Sequence, residues 1–135
     1  MLIDGKCSIY EHRPQTCRNY DCRIFTAAGI LADEAGKDLI TRRIRRWKFS
    51  YPTRRDIELH RAVQATAKFL QTHATSFPTG VVPPNSTQLA ILAIKVYDVF
   101  LKQREEADQT KEVSSDIEMV KAIMEANEKF EARQR

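Results

Sequence analysis

The stretch "NSTQLAILAIKVYDVFLKQ", residues 85–103, decides how the rest of the chain is read. Leu89, Leu92, Ile94, Val96, Tyr97, Val99, Phe100 and Leu101 leave almost no polar face. A helix that is apolar nearly all round has to lie inside other helices. Asn85 or Ser86 supplies a capping oxygen at its start. The charged run "KQREEADQTKE", residues 102–112, is expected to end it.

Partners for this central helix are present on both sides. Thr53 is a candidate N-cap for a helix in which Leu59, Ala62, Val63, Thr66, Phe69, Leu70 and His73 recur at helical spacing. "TSFPTGVVPPNST", residues 75–87, interrupts the pattern with three prolines and a glycine. Ser115 opens a last amphipathic helix carrying Ile117, Val120, Ile123, Met124 and Phe130. The fold class is therefore mainly α, a small helical bundle.

Upstream the signals are shorter. Lys37 to Arg46 reads as a helix with Leu39, Ile40 and Ile44 on one side, and "WKFSYP", residues 47–52, as extended chain. Residues 26–36 hold two glycines and no sustained period, which predicts a loop with at most a helical turn. Residues 2–10 read as a tight hairpin, with Asp4-Gly5 as a preferred two-residue turn. The chain of 135 residues is long enough for one domain with a real core. It divides into a cysteine-rich N-terminal segment, 1–36, that ends in a loop, and a helical region, 37–135. It shows no internal repeat and no low-complexity tract.

Apolar residues make up 42% of the chain, the share expected of a folded domain. No apolar run approaches the length that spans a bilayer, and "MLIDGKC" lacks the layout of a secretory signal. The expected compartment is the cytoplasm, with no membrane partner, where clustered thiols bind metal more often than they form disulfides. The net charge of +4 is uneven. Residues 1–55 hold 12 Lys/Arg against 6 Asp/Glu, and residues 56–135 hold 10 against 12. The positive end is the end that holds the cysteines.

All three cysteines fall within "CSIYEHRPQTCRNYDC", residues 7–22. Cys17 and Cys22 are five apart, about 140° around an ideal helix, so they converge only if a helix ends between them. A loop of this kind can gather Cys7, Cys17 and Cys22 around one metal. A structural zinc takes four ligands and a cubane iron–sulfur cluster usually four cysteines. The chain supplies three, with His12 and Asp21 as candidate extra ligands. Arg13 and Arg18 either donate charged hydrogen bonds to the thiolates or pair with Glu11 and Asp21.

This segment resembles the second half of the motif of the YkgJ-type cysteine-cluster family, proteins read as zinc or iron chelators. The residues that carry the resemblance are Cys7, Ile9-Tyr10, Arg13-Pro14, Cys17-Arg18, Tyr20 and Cys22. "DCRIFTAAGI" and "RRWKFSYPT" are also similar to longer members, in which a helical region follows the cluster. The resemblance implies chelation of zinc or iron and no particular reaction. Family members carry a further cysteine group N-terminal to this motif, which this chain lacks. Either the start is assigned too far downstream or this is a degenerate member with half a site; the short first arm of the hairpin favours the former, and further ligands are expected from outside the chain.

The alternative is a basic helical nucleic-acid-binding module with structural cysteines. "RRIRRWKFSYPTRR", residues 42–55, offers Arg42, Arg43, Arg45 and Arg46 beside Trp47, Phe49 and Tyr51. Cations neutralise phosphates and aromatic rings stack on bases. A third reading is an iron–sulfur enzyme subunit, although no substrate is legible. His60 and His73, thirteen apart, are too distant on one helix to share a metal, and His73 lies on the apolar stripe as a hydrogen-bonded core residue. There is no glycine-rich phosphate loop and no nucleophile elbow.

Overall fold

The computed structural model describes residues 2–3, 6–7, 23–31, 38–110 and 114–134. Two short strands, β1 (Leu2–Ile3) and β2 (Lys6–Cys7), are followed by helices α1 (Arg23–Ala28), α2 (Asp38–Ile44), α3 (Arg54–Thr72), α4 (Ser86–Val96), α5 (Asp98–Thr110) and α6 (Asp116–Gln134). One 3-10 turn, Ala74–Ser76, follows α3. The strands pair antiparallel with Ile3 opposite Lys6 and Leu2 opposite Cys7, the register that a two-residue Asp4-Gly5 connection requires. The architecture is mainly helical, as the sequence predicts.

Helices α3, α4 and α6 start where a side chain can satisfy their free amides. Thr53 and Asp56 form a reciprocal capping box at α3, in which the Asp56 amide donates to Thr53 Oγ1 (3.3 Å) and the Thr53 amide to Asp56 Oδ2 (2.8 Å). Asn85, of the two candidates, caps α4 by accepting from the Gln88 amide at 3.1 Å. Ser115 and Glu118 repeat the box at α6, with the Ser115 amide donating to Glu118 Oε2 at 2.8 Å.

α4 is the centre of the bundle. Leu89, Ala90, Leu92, Ala93 and Val96 are buried around it, and it packs on α1, α3 and α6. Ala90 and Ala93, together with Ala67 on α3, are fully buried, and their small side chains let helix axes approach closely. Phe25, Ile44, Val63, Leu70, Phe77, Val120 and Ile123 complete the same cluster. Burial of this apolar surface drives the assembly at about 25 cal/mol per Å².

Three expectations are corrected. The central helix does not run unbroken to Leu101: it is interrupted at Tyr97, and α5 begins at Asp98. The charged run from Lys102 does not end a helix but forms most of α5, because Lys, Gln, Arg, Glu and Ala are strong helix formers. Ion pairs Asp98–Lys102 (3.5 Å) and Arg55–Glu105 (2.7 Å) hold it, the second tying α5 to α3. Residues 26–28, expected as loop, close helix α1. Gly29 is the stop signal: at φ +67 it accepts the left-handed conformation, and the Ile30 amide reaches back to the Phe25 carbonyl at 3.0 Å.

Candidate functional site

The cysteine segment meets the described residues at its two edges. Cys7 ends β2, its backbone opposite Leu2. Cys17 and Cys22, with Arg13, Arg18, His12 and Asp21, lie outside the described residues. Arg23, which directly follows Cys22, is the first residue of α1, and two residues on Phe25 is fully buried. Among the described residues no group of three His, Cys, Asp or Glu side chains could hold a metal ion.

The basic segment is better defined. α2 delivers Arg42 at its surface, and Arg45 and Arg46 stand exposed in the turn that follows. The side chain of Arg43 lies outside the described residues. Among the described residues no ion pair engages Arg42, Arg45 or Arg46, whereas Arg54 and Arg55 pair with Glu58 at 3.3 and 3.7 Å. The Arg55 guanidinium is held above its ordinary range, first by its hydrogen bond to Glu105.

Residues 47–51 then run without regular structure along α3. Side chains two apart on an extended chain point to the same side. Phe49 and Tyr51 accordingly meet the same residue, His60, one edge-on at 5.0 Å between ring centroids and the other stacked at 5.6 Å. The Tyr51 hydroxyl is hydrogen-bonded to His60 Nδ1, and His60 Nε2 lies 3.3 Å from the Thr26 carbonyl. A carbonyl only accepts, so Nε2 carries the hydrogen of the neutral ring and Tyr51 donates to Nδ1. Thr26 Oγ1 donates in turn to the Ile44 carbonyl at 3.2 Å, which joins α1, α2 and α3 at this point.

The histidine that caps the C-terminal end of α3 sits as the sequence predicts. His73 stacks on Phe69 at 4.2 Å and lies 3.4 Å from Asp116 Oδ2, half-buried between α3 and the start of α6. An open groove of about 730 Å³ between α5 and α6, lined by Tyr97, Val99, Met119, Ala122 and Phe130 among charged residues, was not legible beforehand. Its walls come from helices whose mutual placement no local pattern records.

No protein-family model, no curated protein and no solved structure matches the chain. No helix among the described residues is long and apolar enough to cross a membrane.

Proposed function

We propose that this chain is a metal-binding protein of the cysteine-cluster kind, holding zinc or iron (an iron–sulfur cluster included) through Cys7, Cys17 and Cys22. The observation that carries this reading is the sequence of residues 7–22, where every thiol of the chain is gathered around an Arg-Pro step. Thiolate ligands select zinc and iron–sulfur centres over hard cations. Three thiolates leave a coordination position open, which His12, Asp21 or a group outside the chain would fill. Arg13 and Arg18 would donate hydrogen bonds to the sulfurs and lower their charge. The start of α1 immediately after Cys22, held in the core by Phe25, is compatible with the reading, because an exit already placed limits the freedom a metal loop has to lose. A reducing compartment such as the cytoplasm would keep the thiols available.

Metal analysis and the visible spectrum of protein purified without oxygen test this. Stoichiometric zinc, or a brown iron–sulfur chromophore, is expected, and Cys17→Ser should remove most of the metal. His12→Ala lowers metal content only if His12 is the fourth ligand. Full metal retention in the Cys17→Ser protein, or a folded protein that takes up neither metal, would overturn the assignment.

A further inference from the structure

We propose that Phe49 and Tyr51, seated on His60 and preceded in sequence by the exposed Arg42, Arg45 and Arg46, form with them a binding surface for single-stranded nucleic acid. Phe49 is 37% exposed and Tyr51 42% exposed, whereas Ile44, a few residues earlier, is buried in the core. Isolated exposed aromatics are ordinary, but these two are held in place. His60 packs against both rings and is itself fixed from its two nitrogens, by the Tyr51 hydroxyl and by the Thr26 carbonyl. Rings held in this way lose little conformational freedom when a base stacks on them.

The charge pattern names the partner. Arg42, Arg45 and Arg46 precede the aromatic pair in sequence and are exposed, and Lys48 between them and Phe49 is exposed as well. Cations in a row followed by two flat rings match a strand that alternates phosphates with unpaired bases. A duplex would offer the phosphates but keep its base faces stacked internally. An anionic membrane would need an amphipathic helix with a free apolar face, whereas Ile44 of α2 is buried in the core and the rings stand on an irregular segment. None of the residues of this surface belongs to the cysteine motif, so the proposal does not depend on the metal reading.

The test is fluorescence anisotropy with an oligothymidine and an abasic oligonucleotide of equal length, about 20 nucleotides. Phosphate charge is then constant and only the bases differ. The wild-type protein, with and without chelator treatment, is expected to bind the oligothymidine at least ~10-fold more tightly than the abasic strand. Phe49→Ala should weaken oligothymidine binding by roughly 5- to 100-fold with an unchanged far-ultraviolet dichroism spectrum. Replacing Arg42, Arg45 and Arg46 by Ser should reduce the slope of log affinity against log salt by about 2. Equal affinity for the two strands, no binding at low salt, or tighter binding to phosphatidylserine vesicles that Phe49→Ala leaves unchanged would each overturn the proposal. None of those outcomes alters metal content, so the two proposals fail separately.

Discussion

His60 stands on α3 and His73, thirteen residues on, caps its C-terminal end; each stacks on an aromatic ring and approaches a backbone carbonyl. Their surroundings diverge. At the C-terminal end His73 rests on Phe69, which also meets Phe77 edge-on at 6.4 Å and Phe100 at 5.5 Å, while Asp116 brings in the start of α6. That end is a packed junction of α3, α5 and α6. At the N-terminal end His60 supports the exposed rings of Phe49 and Tyr51, which follow the exposed Arg42, Arg45, Arg46 and Lys48 in sequence. Both histidines are partly buried and both join helices, but the rings that rest on them differ: those around His73 pack among themselves, while Phe49 and Tyr51 on His60 remain exposed.

The sharpest way to break this contrast is to remove one ring at each end. Phe69→Ala takes out the hub of the inner aromatic group and should cost roughly 2–4 kcal/mol, somewhat below a fully buried phenylalanine because Phe69 is only half-buried. Phe49→Ala should stay within about 1 kcal/mol. Urea unfolding followed by dichroism measures both, and comparable losses would mean that the two ends are not different in kind.

A smaller effect concerns the start of α3. Thr53→Ala removes the capping hydroxyl and should cost about 1 kcal/mol. Because the cap lies two residues beyond Tyr51, the loss should appear first as faster amide exchange at the N-terminal end of α3, with the His73 end protected. Uniform loss of protection along α3 would show instead that the helix opens as one unit.

The smallest expected effect is the response to acid. Thr53, chiefly through its hydroxyl, and Ser115, chiefly through its backbone amide, hold Asp56 and Glu118 below the usual carboxylate range. A carboxylate with a lowered folded-state pKa contributes stability that is present above its unfolded pKa and fades as pH falls through the folded value. Thermal melts from about pH 7 down to about pH 3 should therefore show a slight loss that begins below pH ~4. Thr53→Ala should make part of that loss disappear, and an acid response unchanged in that variant would remove the cap as its cause.

The boundaries of α3 and α6 were readable because capping is chemistry between residues three apart, and Thr53-Asp56 and Ser115-Glu118 carry it within one turn. The burial of α4 was readable from its missing polar face. α1 was not. A six-residue helix has too short a pattern to register, and it is held by Phe25 packing against α3 and α4 rather than by its own propensity. The length of α5 was misread for a related reason, since a charged run looks like a boundary until the Arg55–Glu105 pair and its neighbours are in place.

Of the candidate sites, the cysteine motif is wholly a matter of sequence, because spacing and residue type alone define which ligands are offered. The aromatic surface is the opposite case. Trp47, Phe49 and Tyr51 look alike as sequence, yet only Phe49 and Tyr51 meet His60, and that selection is made where α1, α2 and α3 converge. Helix starts, apolar faces and cysteine spacing are local, carried by residues within a turn or two of one another. Which aromatic rings stay exposed and which helices each histidine joins depend on contacts tens of residues apart, and those exist only after the helices have packed.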